Sequence, residues 1–235
     1  MRDSKRSAPG PDESAGERGD ATRQKLLTAA IDVFGQYGFD GTTTRALASA
    51  AGVNLQAIPY YFGGKEGLYL AAAEHLATLI SSHVGSRRQQ VQARLAEIQA
   101  EGRPVTRDEA RELLTILLHT LAEVMVSERS RPWARFLIRE QMAPTEAFSK
   151  VYDGVMRPML EAIRRLVGIL LSAPPTSERV GLRALSVIGS VMVFRVANAA
   201  ALRQLDWSQM GPRELDAIRE LVSDIVRSLD SGGVK

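Results

Sequence analysis

The chain has 235 residues, which is enough for one or two domains with a substantial core. It contains no cysteine, and this excludes disulfides, thiolate catalysis and thiolate metal sites. The formal net charge of +3 is consistent with nucleic-acid binding but does not establish it.

Residues 1–19 form an N-terminal tail rich in serine, glycine, proline and charge. Because the tail has almost no apolar side chains to bury, we expect it to be disordered. It also lacks the apolar stretch of a signal peptide. Two interpretations stay open. Arg2, Lys5 and Arg6 can form an arm that enters the minor groove of DNA, or the tail is simply solvated, since it carries acidic residues as well.

The apolar spacing between residues 20 and 66 predicts three helices, the first starting near Asp20. The second begins after Thr43, whose hydroxyl can cap a helix start, and ends at Gly52, since glycine accepts a left-handed backbone. Asn54 caps the third. Two helices joined by a short glycine-containing turn form a helix-turn-helix, whose second helix enters the major groove of DNA.

An aromatic run and a Lys-Glu pair follow this motif and make the pattern more specific. The pattern consists of Ala30, Phe34, Gly38, Phe39, Thr42, Thr43, Thr44, Arg45, Leu47, Ala48, Ala51, Gly52, Val53, Tyr60, Tyr61, Phe62, Lys65 and Glu66. It resembles the TetR-type bacterial transcriptional regulators, strongly over roughly residues 21–70. The runs Phe148–Pro158 and Val187–Arg195 look like the CecR-like branch of that family. The resemblance implies an N-terminal helix-turn-helix domain and a larger C-terminal helical domain for dimerisation and ligand binding.

Four residues are expected at the DNA backbone. Thr43, Thr44 and Arg45 lie where a helix N-terminus with free N–H groups and hydroxyls can bind phosphate. Lys65 opens the helix that follows the motif and looks like a phosphate clamp. Thr43 is expected to serve as a helix cap as well.

The start of the second helix of the motif is expected to face the bases. Gln56 can bond an adenine edge at two atoms, Leu55 can touch a thymine methyl, and Asn54 lies beside them. Tyr60 and Tyr61 can reach phosphates with their hydroxyls and pack their rings on sugars. For either tyrosine, burial between helices remains an alternative.

Pro59 departs from the tyrosine that is commoner in the family at this position. It has no N–H and crowds the carbonyl of Leu55. The sequence therefore predicts that the second helix of the motif is short, tightened or bent, and that Pro59 has no hydrogen-bonding role.

Residues 67–235 are predicted to form an entirely helical ligand-binding and dimerisation domain, so that the fold class is all-α. A connecting helix is predicted from about Lys65 to His83, followed by a separate polar helix over Arg87–Glu101. Further helices are predicted from a capping box at Thr106 and Glu109 through Met125, and over about 130–141, 145–171, 176–204 and 212–230.

A mostly apolar ligand pocket is expected between the connecting helix and the region from Trp133 to Met159, suited to a hydrophobic or aromatic effector. The residues predicted to line it are His83, Met125, Phe136, Arg139, Glu140 and Met156. Structural alternatives stay open. Arg139 and Glu140 can form an internal ion pair or a solvated edge, the methionines can be ordinary core, and each histidine can be simply packed or solvated.

No catalytic, cofactor or metal site is expected. His75 and His83 lie about 12 Å apart along one helix, too far to share an ion. There is no glycine-rich phosphate loop and no recognisable serine–histidine–acid motif. The longest apolar run carries Arg195 and Asn198, which favours a buried or interface helix over a membrane span. We therefore expect a cytoplasmic protein that is not an enzyme.

Small residues alternate with larger apolar ones along 176–204, and the last helix is amphipathic. The family packs its last two long helices against a second copy as a four-helix bundle, so the resemblance implies a homodimer. The function expected is a ligand-responsive regulator, most simply a repressor on a palindromic operator. The rival is a constitutive architectural DNA-binding dimer. A dense basic patch would support that rival. Residues 21–70 carry a net charge of only +1, from four basic and three acidic residues, which speaks against it.

Overall fold

The computed structural model describes residues 11–229, with side chains from residue 18 onward. Within this range the chain forms helices and turns, which confirms the all-α prediction. Two segments are not α-helical: a 3-10 turn over Glu128–Ser130 and a π-helical segment over Tyr152–Met156. The helices are α1 (Pro11–Tyr37), α2 (Thr44–Ala51), α3 (Ala57–Phe62), α4 (Lys65–Ala100), α5 (Arg107–Val126), α6 (Arg131–Met142), α7 (Glu146–Val151), α8 (Arg157–Leu170), α9 (Glu178–Val196), α10 (Asn198–Gln204) and α11 (Pro212–Ser228).

The first helix begins at Pro11, well before the start predicted near Asp20. Proline suits the first turn of a helix because its missing N–H would have no partner there. Residues 11–19 of the predicted tail are therefore helical, and the prediction of disorder is wrong for them. Residues 1–10, with the candidate arm residues Arg2, Lys5 and Arg6, lie outside the described residues.

The connecting helix and the polar helix predicted after it are one helix, α4, of 36 residues. The predicted break around Gly85 is wrong because the buried stripe continues through Val84, Val91 and Ile98, which recur every seven residues. Packing of that stripe offsets the cost of about 1 kcal/mol that a glycine imposes inside a helix. The capping box at Thr106 and Glu109, by contrast, is present as predicted.

The helix predicted over 176–204 is broken at Ala197, and α9 and α10 meet at an angle of 85°. The side-chain amide of Asn198 donates to the carbonyl of Phe194 at 3.3 Å, the acceptor that a continuing helix would offer to the Asn198 N–H. Within residues 11–229, no single helix is long and apolar enough to cross a membrane; α9 and α10 reach that length and composition only as this bent pair.

Two hydrophobic clusters organise the packing. One joins α1, α2, α3 and the first half of α4, together with Phe136 of α6 and Ala147 and Val151 of the α7 region. The other lies among α5, α8, α9 and α11 and includes Val91 of α4. Packing is therefore continuous across residue 66, since α4 and α6 contribute to the N-terminal cluster. The N-terminal cluster therefore packs the helix-turn-helix directly against α4 and α6.

Candidate DNA-binding surface and ligand cavity

The first helix of the motif, α2, starts and ends as the sequence predicts. The Thr43 hydroxyl accepts from the Ala46 N–H at 3.1 Å, and Thr43 itself has an extended backbone. Gly52 ends the helix with φ of 63°, in the left-handed region that favours glycine. Arg45 is exposed on this helix and Thr44 is half-buried. The predicted phosphate-binding end of α2 is thus open to the surface.

Lys65 does not point out to solvent as a phosphate clamp would. Its Nζ donates to the carbonyls of Phe39 and Thr42, at 2.9 and 3.0 Å, and lies 4.2 Å from the centroid of the Phe39 ring. A lysine ammonium has only three donors, and two are used here. The structure therefore corrects the prediction for Lys65: the side chain holds the turn that leads into α2.

The second helix of the motif, α3, is short and tightened, as Pro59 predicts. It has only 6 residues and starts at Ala57, so its N-cap position is Gln56 and not Asn54, and the Gln56 side chain makes no capping bond. The Leu55 carbonyl, which cannot receive an N–H from Pro59, accepts instead from Ile58 at 3.3 Å. Asn54 is nevertheless part of the turn, because its Oδ1 accepts from the Gln56 N–H at 2.9 Å.

An open cleft runs between α3 and α1, and most of the predicted reading residues lie along it. Asn54, Gln56 and Tyr60 line this cleft, and so do Thr22 and Lys25 of α1. The Tyr60 side chain is 80 % exposed, so it has no structural role in the core. Leu55, at 40 % exposure, also faces outward on this part of the surface.

Thr22 and Lys25 were not among the candidate residues from the sequence. With Arg18 they recur at spacings of four and three residues on α1, which places all of them on one helical face. This spacing is the signal that could have identified them.

Tyr61 differs from its neighbour. Its ring is half-buried in the N-terminal cluster and packs edge-on against Tyr60, with centroids 4.7 Å apart. Its hydroxyl lies so close to α1 that a Cβ added at Gly19 would be 3.2 Å from it. Tyr61 is thus packed partly between α3 and α1 and also lines the open cleft, and its contact with DNA stays a prediction.

A cavity of about 200 Å³, called here the ligand cavity, lies where the pocket was expected. Met125 and Met156, both predicted, are on its wall, and the polar lining residues are Ser130 and Gln141. Its wall also includes Ile80 and Val84 of α4, Leu121 of α5, Trp133 and Leu137 of α6, Met159 of α8, and Ile188 and Met192 of α9. An apolar cavity with few polar groups suits a hydrophobic ligand.

The other predicted pocket residues do not line this cavity. His83 is exposed and packs edge-on against Trp133, with ring centroids 5.5 Å apart. Phe136 is buried in the N-terminal cluster. Arg139 crosses to α1, where its Nη2 donates to the Gln36 carbonyl at 3.1 Å.

Glu140 is 2 % exposed and hydrogen-bonded, but not as an ion pair with Arg139. It accepts a short hydrogen bond from the Tyr69 hydroxyl, and its Oε2 accepts from the Thr145 N–H and hydroxyl at 3.1 and 3.0 Å. Burial, together with this bond to Glu140, raises the pKa of Tyr69 well above its usual value. Through these hydrogen bonds Glu140 links Tyr69 of α4 to Thr145 at the start of α7.

The remaining histidines are satisfied by protein groups. His75 Nε2 is 2.8 Å from Gln24 Nε2, and His119 Nε2 is 3.0 Å from the Arg219 carbonyl and 3.1 Å from the Ser223 hydroxyl. Among the described residues, no group of three or more His, Asp or Glu side chains is placed to hold a metal ion.

An apolar face lies uncovered on α9 and α11. Leu182, Leu185, Val193 and Val196 are exposed on α9, with side chains 46–60 % accessible, and Leu221 is exposed on α11. Gly189 lies on the same side of α9 with nothing within 4 Å of where a Cβ would be. With Gly189 included, spacings of three and four residues place the exposed α9 side chains along one side of that helix.

Known proteins share this arrangement of domains. The chain is 28 % identical over 206 residues to the HTH-type transcriptional dual regulator CecR of Shigella flexneri, covering 88 % of this chain and 90 % of that protein. Over 56 residues it is 41 % identical to the regulator RutR of Escherichia coli K12, covering 24 % of this chain and 26 % of that protein.

Two solved structures have the same fold. The structure of AibR in complex with isovaleryl coenzyme A and operator DNA matches with a TM-score of 0.60 and 13 % identity, covering 87 % of this chain and 97 % of that one. The Bacillus subtilis regulator FadR in complex with stearoyl-CoA matches with a TM-score of 0.54 and 15 % identity, covering 89 % and 98 %.

Two family models match separate parts of the chain. Residues 26–72 match the bacterial regulatory proteins of the tetR family, and residues 110–232 match the C-terminal domain of the HTH-type transcriptional dual regulator CecR. The chain therefore belongs to the TetR family of DNA-binding transcriptional regulators, with a C-terminal domain of the CecR type.

Proposed function

We propose that the protein is a homodimeric repressor that binds a palindromic operator and is released from it by a small hydrophobic or aromatic effector. The observation that carries the proposal is the position of α6. One face of this helix, with Trp133, Ala134 and Leu137, lines the ligand cavity, while Phe136 and Arg139 on the other contact the helix-turn-helix domain. A ligand that displaces α6 therefore acts directly on α1.

The uncovered apolar face of α9 and α11 supports the homodimer. A two-fold interface uses the same surface on both copies, and the α9 stripe can meet its own copy closely at Gly189. Each copy then presents one α3 to the major groove. In a dimer the two α3 helices must meet half-sites about 34–36 Å apart, or a multiple of that distance.

The charges of the helix-turn-helix region give less support to the alternative function, a constitutive architectural DNA-binding dimer. Of the four basic residues in the helix-turn-helix region, Lys65 is turned inward and Arg23 lies over the Phe62 ring, 5.5 Å from its centroid. Arg23, Lys25 and Arg45 are exposed, so the region presents three cations beside its three acidic residues. Binding by charge alone needs many phosphate contacts, so this surface favours binding to a defined site by a dimer.

We expect Gln56→Ala to relax base preference at one position of each half-site. The Gln56 side chain is exposed and makes no capping bond, which leaves both amide atoms free for an adenine edge. Loss of such a bidentate contact costs about 1–3 kcal/mol of discrimination. Titration of the operator and its single-base variants, with the operator first defined by sequencing genomic fragments that the purified protein retains, measures this difference.

Tyr60→Ala is the matched control, because an exposed tyrosine that reaches a phosphate acts about equally on all sequences. The base-reading role of Gln56 would be wrong if Gln56→Ala lowered the affinity for every variant by the same factor.

An effector can release DNA only if it binds the DNA-free arrangement better than the DNA-bound one. Linkage then requires operator DNA to weaken effector binding by the same factor by which the effector weakens DNA binding. Calorimetry with an effector identified by thermal-shift screening, in the presence and absence of operator, tests this. Equal affinities in the two titrations would show that the cavity does not regulate DNA binding.

A further inference from the structure

Arg88 of α4 has a donor without an acceptor. Its Nε is buried, and none of the described residues offers it a hydrogen bond. Arginine remains charged in proteins, and leaving a buried donor of a charged group unpaired is costly. Unsatisfied buried groups in native proteins call for an explanation, and one explanation is an acceptor that arrives with a ligand.

The position of Arg88 indicates where that ligand would lie. A second cavity of about 50 Å³ is lined by Arg88 together with Leu117, Pro158 and Ala162. It shares two wall residues, Val84 and Met159, with the ligand cavity. The two spaces are therefore neighbours, and part of their shared wall is the flexible side chain of Met159.

The wall contributed by α4 runs past both cavities. Ile80, Val84 and Arg88 recur every four residues, so they lie on one face of the helix. From Ile80 to Arg88 this face is about 12 Å long. An elongated ligand that lies along it would have an apolar end at Ile80 and a cationic end at Arg88.

Protein groups at the Arg88 end do not supply the missing acceptor. No acidic residue is among those that line the small cavity; its other polar residues are Gln92, which is exposed, and Thr120. The Thr120 hydroxyl donates to the Ile116 carbonyl at 2.8 Å. A carboxylate would meet the guanidinium with two acceptor oxygens, the arrangement that arginine binds best.

We propose that the effector is an amphipathic carboxylic acid, whose apolar chain fills the ligand cavity and whose carboxylate pairs with Arg88. This inference rests on the proposed function, because it names the chemical class of the effector. It adds to the hydrophobic requirement of the cavity a single anionic group at a defined position.

The test compares decanoate with decanol, which have the same chain and differ in the charge of the head group. Calorimetric titrations use the full-length wild type, Arg88→Met and Arg87→Met. Arg87 is the matched control, since it is the adjacent arginine but is exposed and bonds Gln90 at 3.4 Å. Methionine keeps much of the length of the side chain and removes the charge.

Wild type is expected to bind decanoate at least about tenfold more tightly than decanol, as one charge-assisted pair requires. Arg88→Met should lose that preference and bind decanol as wild type does, whereas Arg87→Met should keep the preference. Because the substitution removes an unpaired buried donor, Arg88→Met should not lower the melting temperature. A fall in melting temperature together with equal losses for decanoate and decanol would indicate a merely structural role and overturn the proposal.

The proposal is also overturned if wild type binds decanoate and decanol equally, or binds neither, or if Arg87→Met and Arg88→Met behave alike. Operator binding measured by fluorescence anisotropy separates this inference from the proposed function. If decanoate binds through Arg88 and operator affinity does not change, the site exists and the regulatory proposal fails. If decanoate does not bind but the protein still binds a palindromic operator, the carboxylate proposal alone is wrong.

Discussion

A glutamate at Val193 is expected to convert the proposed dimer into a monomer and to weaken operator binding by about a hundredfold or more. Val193 is 46 % exposed in the middle of the apolar face of α9. In a two-fold interface the substitution places an unpaired charge on each copy against apolar surface, which costs several kcal/mol. A monomer then binds one half-site and lacks the affinity that the second, linked helix-turn-helix domain adds.

Sedimentation velocity gives the assembly state, and anisotropy with the full operator gives the affinity. Met142→Glu is the control, because it introduces the same charge at an apolar residue that is 82 % exposed on a different helix, α6. Met142→Glu should stay dimeric. A monomeric wild type, or a Val193→Glu variant that remains a dimer, would rule out this interface.

Replacing Glu140 with leucine is expected to lower the free energy of unfolding by about 3 kcal/mol. The substitution leaves the buried Tyr69 hydroxyl without its acceptor, and it removes the bond that the exposed Thr145 makes through its N–H. A buried unpaired hydroxyl costs about 1–3 kcal/mol, and loss of the more exposed bond adds about 1 kcal/mol. For a chain of this size the melting temperature should fall by about 6–12 °C.

Calorimetric or circular-dichroism melting measures the change. Glu146→Leu is the matched control: it is the same substitution at an exposed residue in the first turn of α7, and a loss below about 1 kcal/mol is expected there. Equal losses in the two variants would show that the bonds of Glu140 contribute nothing specific.

Local signals in the sequence were sufficient for the helix-turn-helix. The cap at Thr43, the stop at Gly52 and the shortened helix around Pro59 depend on a few neighbouring residues, so they follow from backbone chemistry alone. The position of α4 could be predicted, but its unbroken course could not. Whether Gly85 ends a helix depends on what packs beside it.

The pocket shows the limit of helical periodicity. Spacing establishes that Trp133, Leu137 and Gln141 share one face of α6 and that Phe136 and Arg139 share another. It does not establish which face meets α1 and which meets the cavity. That choice depends on the positions of other helices, so four of the six predicted pocket residues lie elsewhere.

The phosphate-clamp role predicted for Lys65 also depends on the position of other elements. A lysine just after a helix-turn-helix can turn outward to a phosphate or inward to free carbonyls, and the sequence around it does not distinguish the two. The deciding feature is the turn after α1, which presents the Phe39 and Thr42 carbonyls to the start of α4. That proximity exists only in the folded chain.

The inward position of Lys65 also determines how motion can pass through the molecule. Gly63 and Gly64, with φ of 72° and 142°, form the only covalent connection between α3 and α4 and would by themselves make a free joint. The Lys65 ammonium adds a second connection, because its hydrogen bonds to the Phe39 and Thr42 carbonyls hold the first residue of α4 against the turn before α2. We therefore expect the glycines not to absorb a rotation of α4. The helix-turn-helix should turn with α4 as one rigid body, so that the motif keeps its own shape while its orientation changes.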